Sequence, residues 1–195
     1  MRTGMKNYKN LISGALNMLV IFAMTFTGWQ IADAKETDLL SEEAFEQELC
    51  MAKNIYHEAR SDNVAGMYAV ADVVLNRVQD SRYPNTVCEV IYQGPVRESW
   101  KTKNDPDLPE DQRIYYPKRH MCQFSWYCDG KSDDVRDTTA WALAQEIAYK
   151  IINDRRHRGI TEGSTHYHAT YVNPKWSKEL TTVGRIGHHI FYRWD

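Results

Sequence analysis

Glu58 stands near the end of a helical apolar pattern in "NIYHEAR", with Met51 and Ile55 on its own stripe. A carboxyl group held against apolar neighbours has its charged form disfavoured, so its pKa rises and it can hold a proton to give. That is what a general acid requires. The same spacing also fits a Glu open to water or paired with Arg60 or Arg77, and periodicity does not separate these readings.

The histidines are a second group: His57, His120, His157, His166, His168, His188 and His189. "HYH" at 166–168 places two imidazoles on one face of a strand, to which His57 or His189 could add a third zinc ligand. "YHEAR" lacks the second His of an H-E-x-x-H motif, so polar lining of a groove is the simpler reading. No metal and no cofactor is expected. Cys50, Cys88, Cys122 and Cys128 are widely spaced with no C-x-x-C, which favours one or two disulfides over zinc ligation or a thiol nucleophile. Three full pairings are open. Finally, Tyr92, Trp100, Phe124, Trp126, Tyr127, Tyr167, Tyr171, Trp176 and Tyr192 are interleaved with amides such as Gln123 and Asn173. Such sets stack on sugar rings and bind hydroxyl or acetamido groups, although core packing should claim about half of these rings.

Positioning these groups falls to a small number of elements. Ser41 is a suitable N-cap, and Phe45, Leu49, Ala52, Tyr56 and Ala59 recur at helical spacing, so a helix ends near Glu58. "RSDN" breaks it, and Met67, Val70, Ala71, Val74, Leu75 and Val78 define a second amphipathic helix directly behind. A third, capped by Asp137 or Thr138, presents Trp141, Ala144, Ile147, Ala148, Ile151 and Ile152. "STHYHATYV" and "ELTTVGRIGHHIFYRW" read as short strands or a hairpin, with Gly184 and Gly187 as turn signals. Residues 95–120 carry four prolines and read as a long irregular surface excursion. The class is α+β, dominated by helix.

At the N-terminus, Arg2, Lys6 and Lys9 precede an apolar run from Leu11 to about Phe26, followed by "IADAKE". This is the layout of an export signal over residues 1–34. Uncleaved, residues 11–32 would instead hold the chain on a membrane. An acidic segment, 35–48, leads into a single domain over 49–195. The expected location is outside the cytoplasm, in the periplasm or cell envelope. A formal net charge of −2, without a strongly basic domain or an RNA-recognition pattern, argues against nucleic acid as a partner.

Taken in order, "IYHEARSDNVAGMYAVADVVLNRV", "RYPNTVCEVIYQ", "CQFSWYCDG", "HATYVNPKW" and "VGRIGHHIFY" resemble the SleB/CwlJ-type cell wall hydrolases, the spore cortex-lytic enzyme family, over roughly Leu49 to Tyr192. The resemblance implies a lysozyme-like, lytic transglycosylase-like domain acting on peptidoglycan glycan strands, with Glu58 as the catalytic acid/base. It also implies that Gln123, Phe124, Ser125, Tyr171, Asn173 and Pro174 contribute to the glycan groove. His57 stands where the family often has Gly, Ser61 and Asp62 replace a Gly-Glu pair, and the 95–120 excursion is longer than usual. A hydrolytic muramidase would ordinarily need a second carboxylate, for which Glu89, Glu98, Asp129 and Asp133 are available. The other readings are a zinc-dependent amidase cutting the muramoyl to L-alanine bond and a non-catalytic wall-binding module.

Overall fold

The computed structural model describes residues 41–195. The expected signal segment and the start of the acidic segment lie outside them. Helix α1 occupies residues 41–59 and α2 spans Val64–Gln79, with the four residues between them forming a tight turn. Asn63 caps α2, its side chain accepting from the Gly66 N–H at 2.8 Å. α3 (Val87–Ile91) is capped by Thr86, and α5 (Thr138–Ile152) by Asp137, whose carboxylate accepts from the N–H groups of Thr139 and Ala140. Short polar caps of this kind satisfy backbone donors that have no partner within the helix.

α2 is the central element, because two separate apolar clusters meet on it. Met67, Val70, Ala71 and Val74 join Met51, Ile55 and Ala59 of α1, Val90 and Ile91 of α3, and Ala144, Ile147 and Ile151 of α5. On another side of the helix, Ala69 and Val73 pack against Phe191. Burial of a large apolar side chain contributes about 1.5–3 kcal/mol, so Met51, Ile55, Ile147 and Phe191, each 2% exposed or less, are principal determinants of stability. Periodicity exposed only the first of these faces, since Ala and Val at 69 and 73 do not mark a second stripe.

Phe191 belongs to a three-stranded antiparallel sheet in the order β3 (His166–Ala169), β5 (His189–Arg193), β4 (Thr181–Ile186). Tyr167 pairs with Phe191, and Ile186 with His189 across the two-residue turn Gly187-His188. Gly187 has φ of +58°, which favours glycine. The C-terminal strands form as their composition predicts, but Gly184, the other expected turn signal, lies inside β4 at a register shift opposite β5.

Residues 95–120 depart from expectation. Instead of an irregular excursion they build a small lobe: β1 (Val96–Glu98) pairs antiparallel with β2 (Tyr115–Pro117), enclosing α4 (Trp100–Lys103) and a short 3-10 turn. Ser99 donates its N–H to the Ile114 carbonyl at 2.7 Å, and Arg113 bonds Glu98 at 2.7 Å. Pro95 and Pro117 sit at the ends of the strands and Pro106 and Pro109 between α4 and the 3-10 turn, where a missing N–H is tolerated.

All four cysteines are paired, Cys50 with Cys88 and Cys122 with Cys128. The first joins α1 to α3 across 38 residues. Loop closure on that scale restricts the unfolded chain by about 3–4 kcal/mol. Replacing both Cys50 and Cys88 by Ala should lower the denaturation free energy by that order, measured by urea unfolding, whereas removing the six-residue Cys122–Cys128 loop should cost less.

Candidate active site

Glu58 lies one residue from the end of α1, partly buried, on the stripe shared with the fully buried Met51 and Ile55. The partner it finds is the strand residue between the two histidines of "HYH". Tyr167 donates its hydroxyl to Oε2 of Glu58 at 3.1 Å. The Glu58 pKa is raised above its ordinary 4.5, chiefly by desolvation, while the Tyr167 hydrogen bond and the Arg77 charge pull the other way. Burial also drives the Tyr167 pKa well above 10, so the phenol remains a hydrogen-bond donor.

Arg77, in the last turn of α2, is itself buried. Its Nε donates to the Thr165 carbonyl at 2.8 Å, and its guanidinium lies over the rings of Tyr83 and Phe124, 5.2 Å from the Phe124 centroid. With its amide oxygen turned inward, Gln123 accepts from both terminal nitrogens of Arg77, at 3.2 and 3.1 Å. Arg77 is thus fixed from several directions and supplies Glu58 with a permanent positive charge.

A cleft runs past Glu58 on both sides. One lobe, of about 1060 Å³, is lined by Trp126, Asp129, Asp133, His168, Tyr171 and His189 among others. The other, of about 300 Å³, is lined by Arg77, Gln123, Phe124, His166 and Trp176. Glu58, Ser125 and Tyr167 line both.

Of the residues expected in a groove, Gln123 and Ser125 are exposed on it and Tyr171, 88% exposed, stands at the larger lobe. Phe124 is different: only 3% exposed, it serves chiefly as the platform beneath Arg77. Asn173 and Pro174 are not among the residues lining either lobe. Pro174 begins the 3-10 turn Lys175–Lys178 that carries Trp176. About half of the aromatic set is core: Phe124, Trp126 and Tyr192 are buried, and Tyr92 and Tyr127 pack with Trp126. Trp100 lies away on the β1–β2 lobe.

The imidazoles have separate commitments. His166 and His168 share a strand face, as period two requires, and that face packs on Trp176. His168 Nε2 bonds the Tyr192 hydroxyl at 2.9 Å, and His57 stacks on Trp126 with ring centroids 4.6 Å apart. Among the described residues, no group of three or more His, Cys, Asp or Glu side chains converges as a metal site.

One arrangement had no signal in the spacing. Asp62, in the α1–α2 turn, accepts from the His188 N–H at 2.9 Å and meets His189 Nδ1 at 3.1 Å, joining the turn after Glu58 to the β4–β5 turn. Glycines make room for this carboxylate. A Cβ built on Gly187 would fall 2.1 Å from Asp62 Oδ1, and one on Gly66 2.3 Å from Oδ2. His189 in turn meets the Tyr167 ring edge-on at 5.1 Å. The two ends of the Glu58–Tyr167 contact are therefore tied together through Asp62.

The profile of a family described as Cell Wall Hydrolase matches residues 61–192. A spore cortex-lytic enzyme of Bacillus cereus is 46% identical over 146 residues, covering 72% of this chain and 42% of that protein, so the chain spans about two fifths of the relative's length. Among solved structures, the catalytic domain of the germination-specific lytic transglycosylase SleB from Bacillus anthracis is similar at 24% identity and a TM-score of 0.47, over 75% of this chain and 93% of that one. The catalytic domain of the Bacillus cereus SleB protein is similar at 23% identity and the same TM-score, over 76% and 91%.

Proposed function

The chain belongs to the Cell Wall Hydrolase family, and from that premise we propose that it cleaves peptidoglycan glycan strands between N-acetylmuramic acid and N-acetylglucosamine, as a lytic transglycosylase with Glu58 as acid and then base. The observation that carries this reading is the setting of Glu58: a carboxyl group made less acidic by burial, at the point where two lobes of one cleft meet. A polymer cut internally needs room on both sides of the broken bond.

In this mechanism the protonated Glu58 gives its proton to the glycosidic oxygen as the C1–O bond breaks and positive charge develops on the muramoyl ring. The carboxylate that remains is stabilised by the Tyr167 hydroxyl and the nearby Arg77. It then takes the proton from the muramoyl 6-hydroxyl as that oxygen bonds to C1, closing a 1,6-anhydro ring and restoring the acid. Burial raises the proton affinity and the two partners limit the rise, which suits one group to both steps. Gln123 binds the strand on one side of the cut and Tyr171 on the other, with Ser125 at the junction beside Glu58. Two disulfides accord with an exported protein working at the wall.

A second reading, hydrolysis, is favoured by one feature: Asp129 and Asp133 line the larger lobe with Glu58. Backbone donation from Lys131 lowers the Asp129 pKa and keeps that carboxylate ionised, as a base that activates water would require. Mass spectrometry of muropeptides released from purified sacculi separates the two. Anhydromuramoyl ends are expected, in the presence or absence of EDTA. Products heavier by one water would establish the muramidase, and loss of activity on chelation with recovery on adding zinc would indicate the amidase.

A further inference from the structure

We propose that the β1–β2 lobe carries a second saccharide site, separate from the Glu58 cleft, that holds the carboxylate-bearing glycan of the wall while the cleft acts on it. The proposal rests on the reading of the chain as a wall-acting enzyme. A hollow of about 480 Å³ on this lobe is lined by Arg97, Glu98, Ser99, Trp100, Lys101, Lys103 and Tyr116, and it shares no residue with either lobe of the active cleft.

Its composition is unusual for a solvated surface. Trp100 is 73% exposed and Tyr116 49%, and both line the hollow. Large exposed apolar groups gathered in one place mark a binding surface more often than scattered ones do. The rings are open although the backbone beneath them is fixed: Ser99 and Thr102 are buried, and the Ser99 carbonyl accepts from the Lys103 N–H at 2.9 Å. Arg97 pairs directly with Tyr116 across the two strands, so the cation and the ring project on one face.

Charge identifies the occupant. Arg97, Lys101 and Lys103 are exposed, and none of them bonds a carboxylate of the described residues. The acid on the hollow, Glu98, is already neutralised by Arg113. Three free cations beside two open aromatic rings suit a sugar chain bearing carboxylates: rings stack on pyranose faces, and ammonium and guanidinium groups meet the acids of the stem peptides. A flat anionic membrane fits less well, because Asp105, Asp107, Glu110 and Asp111 lie on the same lobe outside the hollow and would oppose it.

The test uses full-length protein carrying Glu58→Gln, so that binding is measured without turnover, and purified sacculi as the probe in a sedimentation assay. Trp100→Ala in that background should weaken binding about tenfold. Changing Arg97, Lys101 and Lys103 together to Gln should weaken it comparably at low salt and flatten its salt dependence. Thermal midpoints should not move, because these side chains are exposed, and this separates lost binding from lost folding. Unchanged sacculus affinity in both variants would overturn the proposal, as would Trp100-dependent binding to phosphatidylglycerol vesicles in place of sacculi. Release of fragments by Glu58→Gln would overturn the reading of the cleft instead, wherever the Trp100 result falls.

Discussion

Glu58→Gln should lower the release of wall fragments by roughly 10²- to 10⁴-fold while leaving the protein folded. Glutamine keeps the shape and can still accept from the Tyr167 hydroxyl, but it has no proton to give to a glycosidic oxygen. The pH dependence follows from the direction of the shift. Catalysis begins from protonated Glu58, so the activity of the wild type should fall as pH rises through a value above 4.5. Stability carries the same sign. A carboxyl group whose folded pKa is raised contributes stability that is complete below its unfolded value and lost as pH climbs through the folded one. Glu58→Gln is neutral throughout and escapes that loss, so its melting temperature at neutral pH should equal or exceed that of the wild type. A variant that is inactive because it is unfolded would show the opposite. Thermal scans together with fragment release therefore separate a chemical role for Glu58 from a structural one.

Asp72→Ala should be among the most damaging single changes to stability, at about 3–5 kcal/mol. Asp72 is fully buried in α2 and accepts from the Gly159 N–H at 2.9 Å and from Thr161 at 3.1 Å (N–H) and 2.6 Å (hydroxyl). Arg158 pairs with the same carboxylate and also bonds the Asn76 side chain at 3.2 Å. Truncation would leave a largely buried guanidinium without its counter-charge and two backbone donors without their acceptor. For a domain of this size the expected fall in melting temperature is roughly 6–20 °C. Activity should suffer as well, because the segment held by Asp72 leads directly into β3 and Tyr167. Asp72→Asn keeps the volume and one acceptor, and should cost less. A melting temperature within a degree or two of wild type for Asp72→Ala would show that this network does not restrain the segment.

The local elements were legible in the chain because their causes are local. Apolar residues at helical spacing, Asn63 and Asp137 as caps, and Gly187 at a two-residue turn specify α1, α2, α5 and the C-terminal hairpin through contacts only a few residues apart. The apolar setting of Glu58 was equally visible, since Ile55 and Met51 lie one and two turns away on the same helix. Even the 95–120 lobe failed to register for an identifiable reason. Its strands are three residues long, too short for alternation to show, and its order comes from Ser99–Ile114 and Glu98–Arg113 contacts across a dozen or more positions.

Tertiary structure decided everything that depends on which distant residues meet. No pattern in the sequence joins Tyr167 to Glu58 across 109 positions, or Asp62 to His189 across 127. Those pairings exist because α2 is buried on two sides, bringing the end of α1 and the face of the sheet to the same edge of the core. The chain alone thus determined that residue 58 would be a carboxylate on an apolar stripe. Only packing determined that it would receive a phenol, share the field of a buried arginine and open on two lobes of one cleft, because desolvation and hydrogen bonding at a site are set by all the chain segments that converge there.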